Sequence, residues 1–366
     1  MKIIVDGMGG DYAPQAIVDG VVEASADLGP SDELVLVGRE EDLRTALGKR
    51  TGRGAQIRIV NADSVITNEE APVKAVRHKK DSSVVVGMNL LKQGEGDVFI
   101  SAGSTGAVLA GSLLILGRIK GIDRPTLATI YPVIGHQPSL LADAGANAEC
   151  RARNLLEFGI MGSIYMEKVL GRTDPTVGLI NNGTEAEKGT SLTKEAHQLL
   201  SESGLNFIGN VETRELQNAV CDVVVTDGFT GNAVVKLTEG IGLMVLRELK
   251  TMFMKDARSK LSALLVGDKL KQLKVAFDYK EYGGAPILGV RQPVLKMHGS
   301  SDPMAVRQTI LKAVPYVKED VCGTIERSVQ EFHARRKESE DGASARVSEG
   351  EAQTPAEGAV GEKAAE

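Results

Sequence analysis

Tryptophan is absent from this 366-residue chain, and only 4% of its residues are aromatic. With so few rings to stack on bases and a net charge of −6, a nucleic-acid surface is excluded. The three cysteines (Cys150, Cys221, Cys322) lie far apart, with neither metal nor redox spacing. They read as reduced, mostly buried thiols of a cytoplasmic chain. The histidines (His78, His136, His197, His298, His333) are equally scattered, so no metal is expected, and no cofactor either. No apolar run reaches the roughly 18 residues of a spanning helix. The opening Met-Lys-Ile-Ile-Val-Asp meets an acid at Asp6, which argues against a signal peptide.

Glycine, by contrast, is plentiful, with 41 residues, many at the ends of β-prone runs. Short apolar strands alternate with helix-length segments: strands at 2–6, 33–38, 56–60, 97–101 and 177–181, helices at 39–49, 73–94, 107–119, 155–170 and 192–201. Leu127–Tyr131 and Leu140–Ala144 read as a hairpin. Such alternation predicts an α/β fold with a largely parallel sheet, whose ligands sit beyond the carboxyl ends of the strands. Five polar or glycine-rich loops fall at those ends, at 6–11, 101–106, 143–147, 181–189 and 226–232.

Two of these loops are near copies. Asp97-Val-Phe-Ile-Ser-Ala-Gly-Ser-Thr-Gly106 aligns without a gap with Asp222-Val-Val-Val-Thr-Asp-Gly-Phe-Thr-Gly231. Each is a strand followed by a Gly-x-Thr-Gly turn and an apolar helix, expected to begin at Ala107 and Ala233. A glycine turn leading into a helix N-terminus suits an anion, because close backbone approach and unpaired N–H groups coincide there.

From Val234 to Lys274 the pattern becomes a long, protruding helical pair. Between Arg247 and Lys274 eight Lys or Arg face three acids, a balance of +5. Its apolar positions Met252, Phe253, Met254, Leu264, Leu265 and Val266 suit an anionic membrane, an acidic carrier protein or a second copy of the chain. Residues 335–366 have no aromatics and are rich in Glu, Ala, Gly and Ser, so a disordered tail is expected after a two-lobed unit at 1–334.

Several motifs resemble the bacterial phosphate acyltransferases, the acyl-ACP:phosphate transacylases of phospholipid synthesis. They are Val5-Asp-Gly-Met-Gly-Gly-Asp-Tyr-Ala-Pro14, Ser101-Ala-Gly-Ser-Thr-Gly-Ala107, Leu141-Ala-Asp-Ala-Gly-Ala-Asn147, Val177-Gly-Leu-Ile-Asn-Asn-Gly183, Asp227-Gly-Phe-Thr-Gly-Asn232, Tyr282-Gly-Gly-Ala-Pro-Ile-Leu-Gly289 and His298-Gly-Ser-Ser301. Two loops depart from the family pattern, at Glu185-Ala-Glu-Lys-Gly189 and Gly209-Asn-Val-Glu-Thr-Arg-Glu215; each lacks one expected glycine.

The resemblance implies a three-layer α/β/α fold like that of the isocitrate and isopropylmalate dehydrogenases, assembled as a homodimer. It implies the reaction of acyl-ACP with orthophosphate to give acyl phosphate and acyl carrier protein. Peripheral membrane association is implied too, with the product passing to a membrane glycerol-3-phosphate acyltransferase. On this reading Ser101, Gly103, Ser104, Thr105 and Gly106, with Gly228, Thr230 and Asn232, hold phosphate or an oxyanion. Asn147 and Asn182 join the substrate loops. Lys188, Arg214 and Lys236 supply positive charge, and Asp227 orients a cation or the attacking oxygen. His298 either protonates the leaving thiolate or is a structural turn residue. No Gly-x-Ser-x-Gly elbow is present, and no nucleophile stands out. Three rivals are a dehydrogenase of the same fold, for which neither metal cluster nor nucleotide loop is found, a short-chain phosphotransacetylase, and a non-catalytic lipid-synthesis scaffold.

Overall fold

The carboxyl ends of two twisted sheets face a common cleft in the computed structural model, which describes residues 1–133, 135–276 and 283–335. In chain order the elements are β1 (Lys2–Asp6), α1 (Gln15–Ala24), β2 (Glu33–Gly38), α2 (Glu40–Leu47), β3 (Gln56–Asn61), α3 (Pro72–His78), α4 (Ser83–Lys92), β4 (Val98–Ser101) and α5 (Thr105–Gly111). There follow β5 (Thr126–Leu127), β6 (Thr129–Tyr131), β7 (Ser139–Ala142), α6 (Ala152–Leu170), β8 (Val177–Ile180), α7 (Ser191–Ser201), β9 (Phe207–Val211) and β10 (Val223–Val225). The long pair α8 (Gly228–Met254) and α9 (Ala257–Ala276) precedes β11 (Ala285–Leu288), β12 (Val294–Lys296), α10 (Pro303–Lys318) and a helix α11 over 321–335.

One sheet has seven strands in the order β3-β2-β1-β4-β12-β11-β5, the other five in the order β6-β7-β10-β8-β9. Pairing is parallel from β3 through β12 and from β7 through β9, while β11 and β6 run against their neighbours. The central parallel strands are short apolar runs, such as Ile3-Ile4-Val5 and Val223-Val-Val225, as strands buried on both faces require. Helices cover both faces, which gives the expected three-layer α/β architecture.

A continuous core joins the sheets. It includes Ile3, Leu34 and Ile100 on one side, Leu140, Leu179 and Val223 on the other, and Phe158, Met161 and Tyr165 of α6 between them. Tyr165 meets Tyr316 of α10 edge-on with ring centroids 5.7 Å apart. Full burial of one such large apolar side chain is worth about 1.5–3 kcal/mol, so α6 and α10 fix the sheets to each other.

The two copied corners fold differently. The second helix starts at Gly228, inside the copied turn, because Asp227 caps it: Thr230 N–H donates to Asp227 Oδ1 at 2.9 Å. Its counterpart at that position in the first corner, Ala102, has no oxygen to offer, and α5 starts two residues later, at Thr105. After Gly111 the same helix loosens into a π-helical turn over Ser112–Leu116. The expected tail lies outside the described residues from 336 onward, as does Tyr282.

Candidate active site

The cleft has a volume of about 730 Å3. The seven-stranded sheet contributes Met8, Gly9, Gly10 and Asp11 after β1, Ala102 to Thr105 after β4, and Lys296 to Gly299 at the end of β12. The loop 65–69 closes that side. Across the cleft stand Thr129 to Pro132, Ala144 and Gly145, and the α8 face of Asn232, Val235, Lys236 and Glu239. The lining is two-natured. Val65, Ile66, Leu127, Ile130, Val235 and Met297 offer apolar surface, while backbone amides, hydroxyls, Lys236, Lys296 and His298 gather near the strand ends.

Three adjacent strand ends make the polar floor. Register places Val5 beside Ile100 and Ser101 beside Lys296, so Asp6, Ser101 and Lys296 lie side by side on β1, β4 and β12. All three are buried, at 1%, 0% and 7% exposure. Ser101 Oγ donates to Asp6 Oδ2 at 2.7 Å and accepts from Gly103 N–H at 3.0 Å, and Met8 N–H donates to Asp6 Oδ1 at 3.1 Å. Burial raises the Asp6 carboxyl above its ordinary value, against these hydrogen bonds. Burial also lowers the Lys296 ammonium to about 8, opposed by the charges of Asp6 and Asp11. Lys296 Nζ donates to the Met297 carbonyl.

The opposite wall is set by Asp143, the first residue after β7. Its buried carboxylate accepts from the N–H groups of Gly145 (3.1 Å), Ala146 (2.9 Å) and Asn147 (2.7 Å), and from Leu127 N–H at 3.2 Å. The first turn of α8 packs directly on this loop. A Cβ at Gly228 would stand 2.6 Å from the Asn147 carbonyl oxygen, and one at Gly231 would stand 1.9 Å from that of Asp143. Only glycine allows the approach that brings Asn232 against Gly145. Further along α8, Thr238 Oγ1 lies 2.9 Å from Tyr131 Oη, which accepts from Gln217 Nε2 at 2.7 Å.

Of the residues singled out from sequence, Gly103, Ser104, Thr105, Asn232, Lys236 and His298 come together on the cleft. Ser300 N–H donates to His298 Nδ1 at 3.2 Å, so the neutral ring carries its hydrogen on Nε2. Ser101 is a strut beneath the floor. Asp227 and Thr230 are occupied with each other, Thr230 Oγ1 donating to Asp227 Oδ2 at 2.7 Å. Gly228 is a packing contact. Asn147 is buried and uses its side-chain amide on Pro125 O and Asp143, both at 2.8 Å. Gly106 faces Pro72, whose Cγ would be 2.5 Å from an added Cβ.

Lys188, Asn182 and Arg214 do not line the cleft. The sheet order explains this: they follow β8 and β9, two and three strands beyond β7. Lys188 and Asn182 are exposed, and Arg214 pairs with Glu212 at 2.7 Å and Glu215 at 3.3 Å. Of the apolar set on the helical pair, Met252, Phe253 and Met254 close α8 while Leu264, Leu265 and Val266 lie midway along α9. Leu264 and Leu265 are 79% and 82% exposed, Met252, Met254 and Val266 are also exposed, and Phe253 is half-buried. No described helix is long and apolar enough to cross a membrane. Among the described residues no cluster of three or more His, Cys, Asp or Glu is placed to hold a metal. Lys296, Glu239 and Tyr131 are cleft residues that the motif reading does not single out. For Lys296 one signal existed, a lysine closing a short apolar strand that precedes the His298 motif.

Residues 1–324 match the family described as fatty acid synthesis protein. The chain is 49% identical over 329 residues to a phosphate acyltransferase of Alkaliphilus oremlandii, covering 90% of this chain and 97% of the other. It is 45% identical over 341 residues to one from Clostridioides difficile, covering 93% and 100%. Among solved structures, a phosphotransacetylase from Streptococcus pyogenes superposes with a TM-score of 0.58 at 18% identity, covering 87% of this chain and 94% of that one. A branched-chain phosphotransacylase from Enterococcus faecalis gives 0.55 at 14%, covering 87% and 99%. At those identities the likeness is one of fold.

Proposed function

As this chain belongs to the phosphate acyltransferase family, we propose that its cleft makes acyl phosphate from a long-chain acyl-ACP and orthophosphate. The observation that carries this reading is the two-natured cleft, an apolar side continuous with a polar floor. Phosphate attack on a thioester needs two substrates held together and a place for developing negative charge, rather than a protein nucleophile. The polar floor suits the phosphate and the reacting carbonyl, and the apolar side suits the acyl chain. The amides and hydroxyls of Gly103, Ser104 and Thr105 face Asn232 and Lys236 of α8 across it, and together they hold the phosphate and the tetrahedral oxyanion. His298, with its hydrogen on Nε2, protonates the departing thiolate.

Lys188, Asn182 and Arg214 meet the substrate outside the cleft, where a carrier-protein arm crosses the β8 and β9 loops. The exposed, apolar end of α8 and α9 touches an anionic membrane, and the uncovered apolar positions nearer the cleft, such as Leu237 and Ile241, pair two copies into a homodimer. The acyl phosphate then passes to a membrane glycerol-3-phosphate acyltransferase.

The test is release of carrier-protein thiol from palmitoyl-ACP with and without phosphate. Phosphate-dependent release supports the reading. Release from acetyl-CoA but not from palmitoyl-ACP favours a short-chain phosphotransacetylase. Vesicle binding with no release from either donor favours a scaffold.

A further inference from the structure

We propose that Lys296 is a catalytic residue whose ammonium holds the orthophosphate at the floor of the cleft. The inference rests on the acyl phosphate reading above. Among the described residues Lys296, 7% exposed, is the most buried lysine or arginine, and it lines the cleft. An ammonium has three N–H donors. One goes to the Met297 carbonyl, and Lys296 forms no ion pair with a described carboxylate. The nearest strand-end acid, Asp6, already spends one oxygen on Met8 N–H and the other on Ser101 Oγ. Burying a charge with donors unspent is unfavourable unless an anion completes the site. Lys296 also ends β12, one of three adjacent polar strand ends, at the carboxyl edge where open α/β sheets bind ligands. Lys236, across the cleft on α8, is exposed, whereas Lys296 is buried at the end of a paired strand.

The step balances without a further reagent. An oxygen of HPO4 2− bonds to the thioester carbon, and the C=O pair moves onto the carbonyl oxygen. The adduct re-forms C=O and breaks C–S, His298 gives its Nε2 proton to the thiolate, and the proton that phosphate carried restores the ring, so one proton in all passes from phosphate to sulfur. Lys296 keeps its protons throughout and offsets charge on the nucleophile.

Wild type, Lys296→Met and Lys296→Arg are compared with inorganic phosphate varied at saturating acyl-ACP. For Lys296→Met the phosphate KM rises at least about tenfold and kcat falls about 100-fold, as when one electrostatic donor is removed. The acyl-ACP KM moves less than about threefold, because apolar contacts hold that substrate. Added phosphate raises the melting temperature of wild type and not of Lys296→Met, and Lys296→Arg recovers part of both effects. An unchanged phosphate KM in folded Lys296→Met overturns the proposal. The double variant Asp6→Asn/Lys296→Met removes both buried charges and covers misfolding of the single one. Continued inactivity of this folded double variant agrees with the proposal, and recovered turnover makes Lys296 a mere counter-charge and refutes it. A wild type that releases no thiol with phosphate brings down the acyl phosphate reading and this inference together. An active wild type with an unaffected Lys296→Met brings down this inference alone.

Discussion

Replacing Lys296 by methionine should change stability in a pH-dependent way that can be worked out beforehand. Burial lowers the ammonium from 10.5 to about 8, even with Asp6 and Asp11 pulling the other way. At about 1.4 kcal/mol for each tenfold change in proton affinity, that displacement is worth roughly 3 kcal/mol. Below pH 8 folded and unfolded chains both hold the proton, and the folded chain carries the whole cost of burying it. Between about 8 and 10.5 the unfolded chain keeps a proton that the folded chain has released, so wild-type stability climbs with pH relative to a variant lacking the group. Lys296→Met is one atom shorter, unbranched and without charge. At pH 7 it should be as stable as wild type or more so, by at most roughly 3 kcal/mol, less the cost of leaving Asp6 without a cationic neighbour. The slope is the cleaner quantity, since it follows the proton that Lys296 releases in this window. Urea midpoints of both proteins at half-unit steps from pH 7 to 10.5 measure it. Wild type should gain roughly 3 kcal/mol on the variant across that window. A variant destabilised at pH 7 by an amount that stays flat to pH 10.5 would refute the argument, and Lys296 would then be a structural counter-ion.

Three further outcomes follow from the cleft and its walls. Asn232→Ala and Lys188→Ala should each lose most phosphate-dependent thiol release with an unchanged circular dichroism spectrum; near-wild-type turnover in either removes that residue's role. Gly231→Ala places a Cβ 1.9 Å from the Asp143 carbonyl oxygen, so the first turn of α8 must shift. The cost should be about 1–3 kcal/mol in stability and on the order of 100-fold in turnover, read by calorimetry and steady-state assay, and a wild-type pair of values would show that α8 tolerates the move. Changing both Leu264 and Leu265, 79% and 82% exposed, to glutamine should weaken sedimentation with anionic vesicles while thiol release in solution persists. Unaltered sedimentation removes these leucines from the membrane contact.

Much of the architecture is legible in sequence because parallel strands buried on both faces must be apolar and short, and helices between them keep a 3.6-residue period. The hairpin of β6 and β7, the succession of β8 and α7 and the long helical pair emerge where patterning puts them. The strand-end loops are also legible. Which of them converge is not, since loop composition carries no strand order. The loops after β8 and β9 resemble the others in sequence, yet the order β7-β10-β8-β9 carries Lys188 and Arg214 away from the cleft. Likewise the duplicated Gly-x-Thr-Gly turns look equivalent until their neighbours are counted. Asp227 caps one helix and Ala102 cannot cap the other, so the same glycine spacing yields a buried packing joint at Gly228 and Gly231 and an open cleft wall at Gly103.

That contrast bears on where the chemistry resides. A glycine turn at a strand end can serve two ends: it can leave backbone amides open to an anion, or let another backbone come close. Gly228 and Gly231 do the second, and in doing so consume the amides that an anion would need: Gly228 N–H donates to Asn147 O at 2.8 Å and Gly231 N–H to Asp227 O at 2.9 Å. On the proposed assignment the second corner acts through side chains one and two turns into α8, Asn232 and Lys236, with Asn232 held against the Asp143 loop. The first corner keeps its turn on the cleft, one strand from Lys296. On the proposed assignment, the division of labour between the copies follows from Asp227 where the first corner has Ala102, and from Asn232 and Lys236 where it has Ala107 and Gly111. Alanine at Asp227 should fray the first turn of α8, costing about 1 kcal/mol as for other lost caps, and should lower turnover through Asn232. The same change at Asp227 should leave most of the phosphate-induced stabilisation intact, because on the proposed assignment the main cation for phosphate, Lys296, lies on the opposite sheet. Loss of that stabilisation in a folded Asp227→Ala would place the phosphate on α8 instead.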